Sequence, residues 1–348
     1  MMRARVSRRA EAIVAHRYDD FPVGAGELDL RGDGSPPLRS TVAALQRLAL
    51  HPALTAGYGD VAGDWALRHA IAELFGAAPG EVVITAGGSE ALHLAMACTT
   101  EPGEPILLPA PGFPGFAQLA RLLDLAPAWY AVPGVLPQRE AGVTMLLCSP
   151  HNPTGVVTPR VPATTEAWTI CDVSHTGLSG DDLASVHRAL QGAGVVVVFS
   201  LSKLLRLPGA RIGCLIARNP ALVDAAVRVK THLSMSTSRL GQHLAAKVLT
   251  DPDTAAELAE RRHRLAEDRN RIIDAARTTP ALDVVAGTGG THLLLHTHTG
   301  GDAAQRLRRA GLVGLPGTVF GGIADTVRIC IAQPPDVIDR ITKRVAEL

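Results

Sequence analysis

Lys203 closes the run Phe199-Ser200-Leu201-Ser202-Lys203, directly behind the apolar stretch 195–198. The chain has only four lysines. Lys230, Lys247 and Lys343 fall in helical, polar-faced contexts, whereas Lys203 follows a buried-looking strand. A strand end followed by two hydroxyls and an amine suits a lysine that forms a Schiff base with a carbonyl.

Other reactive groups recur at the ends of apolar segments. Asp172 ends the segment 167–172, with His175 three residues on. A carboxylate in apolar surroundings needs a cationic partner or several hydrogen bonds. A protonated pyridine nitrogen would serve; a turn or helix cap is the plainer alternative. Thr85-Ala86-Gly87-Gly88-Ser89-Glu90 follows one strand and opens a helix. Glycines there let backbone approach an anion, and the first helical N–H groups point at it; a plain turn has the same look. Pro111-Gly112-Phe113 sets an aromatic ring where ligands of open α/β sheets sit, although a loop carrying a core Phe fits equally. In Ser149-Pro150-His151-Asn152-Pro153-Thr154-Gly155, Asn152 is a neutral donor held by the proline after it. Arg211, eight residues after Lys203, is spaced to return to the anion held by the glycine loop. Arg328 lies in a predicted strand and calls for a carboxylate partner, from a substrate or from the protein.

The elements that must position these groups alternate. Strands are predicted at 81–85, 105–108, 143–148, 167–172, 194–200 and 213–217, and helices at 38–50, 63–76, 89–99 and 116–123. In the helix 63–76, Trp65, Leu67, Ile71 and Leu74 are spaced for one apolar face. This order predicts an α/β domain with a mainly parallel sheet. Residues 220–235 and 239–277 read as long helices with a break at Asp251-Pro252, leading to strands 282–286, 292–296 and 326–332 and helices 301–309 and 337–347. The expected organisation is an arm, 1–27; a large domain, 28–218, with part of the helices 219–277; and a small α+β domain, 278–348.

Composition narrows the function. With 348 residues and 47% apolar content, the chain can build a sizeable core over two domains. A formal charge of +1 argues against polyanion binding, and no DNA-binding module precedes residue 28. The five cysteines show no paired spacing, which fits a reducing compartment without a metal site. No stretch reaches the length of a membrane span, and residues 1–17 lack the apolar core of a secretory signal, so a cytoplasmic location is expected. His292, His296 and His298 share one face of a predicted strand, but no loop evidently completes a metal set. The arginines at 3, 5, 8 and 9 are expected to be a solvated arm.

Taken in order, Tyr58-Gly59, Gly87-Gly88-Ser89, Pro111-Gly112-Phe113, Asn152-Pro153-Thr154-Gly155, Asp172, Ser200-Leu201-Ser202-Lys203, Arg211 and Arg328 resemble the class I/II aminotransferases. These are the pyridoxal-phosphate enzymes of fold type I, and the likeness covers residues 28–345. The resemblance implies a large domain with a mainly parallel sheet and a smaller α+β domain. It implies pyridoxal 5′-phosphate joined to Lys203, which also shuttles the Cα proton. Asp172 would pair with the pyridine nitrogen, Asn152 and His175 would face the ring oxygen, and Phe113 would stack on the ring. Gly88, Ser89, Ser200, Ser202 and Arg211 would hold the phosphate, and Tyr58 would reach the phosphate of a neighbouring subunit in a homodimer. Arg328, with Asn152 and Gly32, would bind the substrate, an amino acid exchanging its amino group with a 2-oxo acid.

Two features depart from the family pattern. Asp172-Val173-Ser174-His175 has histidine where the family usually has tyrosine, a variation typical of the C–S β-lyases and the α-oxoamine synthases. The spacing from Asn152 to Asp172 is short, which predicts that a crossover helix is trimmed to the loop 158–166. A lyase, a decarboxylase or an oxidative deaminase would share the same opening steps, and a ligand-sensing protein without catalysis is a remote alternative.

Overall fold

Seven apolar segments build the central sheet: β1 (Val82–Thr85), β2 (Pro105–Ala110), β3 (Ala126–Ala131), β4 (Thr144–Cys148), β5 (Thr169–Asp172), β6 (Val195–Ser200) and β7 (Gly213–Ala217). In this computed structural model, which describes residues 6–15, 18–48, 52–178, 182–285, 287–298 and 301–348, their order is β1-β7-β6-β5-β4-β2-β3. All neighbours are parallel except at β7, which runs antiparallel to both β1 and β6. The central strands β4 and β5 are buried throughout, as expected for parallel strands covered on both faces. One face packs on helix α2 (Gly88–Thr99) through Ala91, Leu92, Ala95 and Met96. The other packs on helix α1 (Trp65–Phe75) through Leu67, Ile71 and Phe75, whose ring meets Phe199 edge-on at 4.9 Å.

A second, antiparallel sheet holds β8 (Leu282–Val285), β9 (His292–Thr297) and β10 (Thr326–Cys330), with the two-residue strand Leu315–Pro316 outside β10. The long helix α3 (Pro252–Arg277) runs beside it and meets the final helix, Pro335–Ala346, where Arg271 pairs with Asp339 at 2.6 Å. These observations give the α/β architecture read from the sequence, with differences that have physical causes. Strand β3 is absent from the predicted segments, because Ala126-Pro127-Ala128 carries little β signal; as the sheet's edge strand, half open to solvent, it tolerates Pro127. The helix Asp182–Leu190 is likewise absent from them. Trp65 does not join the apolar face of α1: it is 62% exposed and lies under Arg68, while Leu67 and Ile71 are buried. Lys230 is not on a polar face but fully buried. Between Cys148 and Thr169 no helix forms, so β4 reaches β5 through a bare loop. The arm positions Arg3 and Arg5 lie outside the described residues, as do the ends of the predicted segments 38–50 and 282–286.

Candidate active site

Parallel pairing brings the C-terminal ends of β4, β5 and β6 to one edge, with Cys148 opposite Asp172 and Asp172 opposite Val198. The loops leaving that edge wall a cleft of about 270 Å³. Every residue that the resemblance assigns to the site lines it except Tyr58: Gly32, Gly88, Ser89, Phe113, Asn152, Asp172, His175, Ser200, Ser202, Lys203, Arg211 and Arg328. Tyr58 stands apart, 83% exposed.

The anion side of the cleft is built by close approach. Gly87 caps α2 at φ 92°, a conformation that favours glycine. A Cβ there would sit 2.6 Å from Nη2 of Arg211, so the missing side chain lets the guanidinium cross the loop. Arg211 itself holds φ 52° and donates weakly to the Ala86 carbonyl at 3.4 Å. Such a backbone costs a non-glycine residue about 1–2 kcal/mol, and functional loops are where such strain concentrates. The Ser200 hydroxyl accepts from the Ser202 backbone N–H and donates to its Oγ at 3.0 Å, which turns both hydroxyls to the same end of β6.

Lys203 follows in the first turn after β6. Burial pulls its ammonium pKa below the ordinary lysine value; Arg328 and Arg206 act the same way and Asp33 opposes them. Its backbone is anchored from behind, because Arg261 donates to the carbonyls of Lys203 at 2.7 Å and Leu204 at 3.1 Å. Asp33 binds both Arg261, at 3.0 Å, and Arg206, at 2.9 Å.

Asp172 is buried, which raises its carboxyl pKa; the Ser174 hydroxyl and backbone N–H, the latter at 2.9 Å, oppose that rise. Cys148 beside it is pushed up well above an ordinary thiol by burial. His175 stacks edge-on against His292 at 4.7 Å, and burial holds both well below the ordinary histidine value. Both rings are therefore neutral near pH 7.

The loop carrying Asn152 is tied in two directions. The Ser149 N–H donates to the Asp172 carbonyl at 2.9 Å, and the Gly289 N–H donates to the Gly155 carbonyl at 2.9 Å, which joins the loop to the approach to β9. Arg328, central in β10, donates to Asn152 Oδ1 at 3.0 Å and to the Arg31 carbonyl, with its guanidinium 4.9 Å above the Phe320 ring. The Gly32 carbonyl accepts from Gln333 at 2.9 Å.

Sequence reading missed Ser174, His292, Arg31 and Cys148 in the cleft, and the Asp33–Arg206–Arg261 cluster behind Lys203. One signal was present: Arg261 interrupts the apolar stripe Leu258, Leu265, Ile272 of α3, where an arginine needs a buried acid. Of the three aligned histidines, His292 turns to the cleft, whereas His296 stacks on His298 and meets Asp325 at 3.1 Å. Among the described residues no three His, Cys, Asp or Glu side chains are grouped to hold a metal ion.

Comparison with known proteins matches residues 19–345 to the family described as aminotransferase class I and II. The chain belongs to that family. It is 30% identical over 319 residues to capreomycidine synthase of Streptomyces vinaceus, covering 83% of this chain and 80% of the relative. It is 25% identical over 325 residues to a probable aspartate/prephenate aminotransferase of Thermus aquaticus, covering 83% of each. A solved α-aminoadipate aminotransferase of Thermus thermophilus, complexed with N-(5′-phosphopyridoxyl)-L-leucine, superposes with a TM-score of 0.80 at 25% identity, over 98% of this chain and 95% of that one. The aminotransferase is a pyridoxal 5′-phosphate enzyme of fold type I, and its substrates are amino acids and 2-oxo acids.

The cleft fits that cofactor on its own chemistry. It holds one depressed-pKa amine, one buried carboxylate of raised pKa that a protonated ring nitrogen would relieve, and an anion cradle of Gly87, Gly88, Ser200, Ser202 and Arg211. A Cβ on Gly88 would sit 3.3 Å from Ser174 Oγ and Ser200 Cβ, so a side chain there would crowd the cradle.

Proposed function

We propose that this aminotransferase attaches its cofactor through Lys203 and binds the α-carboxylate of an amino acid at Arg328. The observation that carries the assignment is the meeting of a depressed-pKa lysine, a buried aspartate and a strand-borne arginine in one cleft at the sheet's C-terminal edge. When bound, pyridoxal phosphate supplies an aldehyde for the amine and an electron-withdrawing ring. Lys203 Nζ, with a larger neutral fraction than an ordinary lysine, would hold the cofactor at that aldehyde carbon with loss of water and, once the substrate's amine has displaced it, would be the base that takes the Cα proton and returns it one position away. Asp172 stays ionised against the protonated ring nitrogen, since a cation at contact offsets the burial that raises it.

The other lining residues orient. Phe113 would stack on the ring, and the Asn152 amide N–H, whose Oδ1 accepts from Arg328, would donate to the ring oxygen. His175, held neutral, meets that oxygen without adding charge. Gly88, Ser89, Ser200, Ser202 and Arg211 hold the phosphate. Gly32 has no side chain to obstruct the carboxylate at Arg328. The exposed Tyr58 completes the phosphate site of a second copy, which makes the working unit a homodimer. The cleft would lie between a large cofactor domain, 28–218 with part of the helices 219–277, and a small domain, 278–348. The five free cysteines support a cytoplasmic setting; among the described residues no helix is long and apolar enough to cross a membrane.

The match to capreomycidine synthase favours a second reading, in which the same proton removal at Lys203 ends without amino transfer. One experiment separates the two. The loaded protein is mixed with an amino acid and no 2-oxo acid. Amino transfer yields one equivalent of 2-oxo acid and leaves the cofactor as its amine. Continued product release with the cofactor unchanged sinks the transfer reading.

A further inference from the structure

Beside the cleft lies a second cavity of about 340 Å³, sharing Phe113 and Arg328 with it. Its wall is apolar: Val14, Phe21, Phe113, Leu315, Val319 and Phe320. Leu315, Val319 and Phe320 form a buried cluster with Phe21 packed against it. The arm closes one side, held where the Val14 N–H donates to Gln118 Oε1 at 3.0 Å. Gln118 is the uncharged polar group of the lining, and Arg328 is its one charged residue among the described residues. That arginine is already engaged by Asn152 and the Arg31 carbonyl.

We propose that this cavity receives the substrate's side chain and that the enzyme takes amino acids with apolar side chains, aliphatic or aromatic, in preference to acidic ones. The inference rests on the placement of the α-carboxylate at Arg328 proposed above. From that anchor a side chain passes Phe113 directly into the cavity, because both residues line both spaces. An apolar side chain there leaves water for an apolar wall. A second carboxylate there loses its hydration and, among the described residues, meets no lining cation besides the Arg328 that holds the first, a cost that burial imposes on any unpaired charge. Phe21 and Val319 are then specificity-determining residues, one from the arm and one from the turn before β10.

Equilibrium binding tests this without turnover. Dissociation constants are measured by calorimetry for 3-phenylpropionate and 4-methylpentanoate against succinate and glutarate, each added to the pyridoxal-phosphate-loaded protein. The apolar acids should bind at least about tenfold tighter, the discrimination that one or two methylenes give in an apolar pocket. Phe21→Ala should shrink that preference, and Val319→Asp should abolish it. Tighter binding of the dicarboxylates overturns the proposal. So does a preference that survives both substitutions, since the side chain then lies elsewhere. The aminotransferase reading fails on a different result: the predicted binding order with no amino acid converting the cofactor supports the cavity's role while removing amino transfer.

Discussion

An amine must be uncharged to attack an aldehyde, and Lys203 is placed to be so more often than a surface lysine. Burial lowers its pKa, so the neutral fraction grows as pH rises through a value below the ordinary 10.5. The rate at which cofactor-free protein captures pyridoxal phosphate should therefore rise with pH and reach its half-maximum below that value. Stopped-flow absorbance checks this, and a half-maximum at or above 10.5 would show that burial does not activate the amine. Lys203→Ala should bind the cofactor without a covalent link: borohydride should fix it to wild-type protein at the peptide containing Lys203 and to the variant not at all. In the proposed site Asp172 would act through charge. Asp172→Asn keeps the shape and the acceptor for the Ser174 N–H but loses the anion beneath the ring nitrogen. Breaking a buried pair costs about 3–5 kcal/mol, or ~10²–10⁴ in rate at about 1.4 kcal/mol per tenfold. Single-turnover kinetics on a fully loaded variant should show that loss; a fall under tenfold would remove Asp172 from the reaction.

The glycine loop at the start of α2 is held by an ion pair that periodicity could not reveal. Glu90, in the first turn, accepts from the Ala86 N–H and from the Ser234 hydroxyl, and stands 3.8 Å from Lys230 Nζ. Lys230 also donates to Ser234 Oγ at 3.2 Å and to the Met235 carbonyl, so it is buried but fully engaged. Lys230→Met strands Glu90 with little solvent and should destabilise the cofactor-free protein by about 3 kcal/mol. It should also weaken pyridoxal phosphate binding, because the Ala86 end of the loop loses its fixed acceptor. Adding Glu90→Gln should restore part of both losses, as urea unfolding and equilibrium dialysis will show; no recovery would make the pair incidental. The case shows what was legible. Strand ends could be read because a parallel strand is a short apolar run that stops at a polar residue, and this located Asp172, Ser200 and Lys203. The loop motifs could be read because glycine and proline mark them. Partners contributed by distant elements could not, since nothing local distinguishes Lys230 in its helix from a solvated lysine, or joins Asp33 to Arg206 and Arg261. The edge strand β3 was illegible for the opposite reason: half its surface is open, and its small residues and proline carry no burial pattern.

Across the whole molecule, the central and small sheets meet on neutral histidines. His175 stacks on His292, and His151 contacts Thr154 Oγ1 at 2.8 Å with its Nε2 buried. Burial lowers His151 from the ordinary 6.5 to about 4, and holds His175 and His292 well below the ordinary value. Below about pH 6.5 the unfolded chain binds protons that the folded one does not, so stability falls with pH across the window from 6.5 to about 4. For His151 alone that is about 3 kcal/mol at the lower end, at ~1.4 kcal/mol per pKa unit. Urea midpoints at about pH 7 and about pH 5 should differ accordingly, and His151→Asn should flatten the slope; an unchanged slope would mean the ring is protonated when folded. The remaining residue of the proposed site would act beyond one chain. Tyr58 points to solvent, and its neighbour Gly59 is fixed by a bond from its N–H to Ser236 Oγ at 3.2 Å, one residue beyond the Met235 carbonyl that Lys230 holds. An exposed phenol on a braced loop suits a contact made in a second copy. Tyr58→Phe should weaken cofactor binding and Lys203→Ala should be inactive, yet a mixture of the two refolded together should regain activity. In the mixed dimer one cleft has both its own Lys203 and the partner's Tyr58. A mixture no more active than Tyr58→Phe alone, in a protein that sediments as a dimer, would place Tyr58 outside the site.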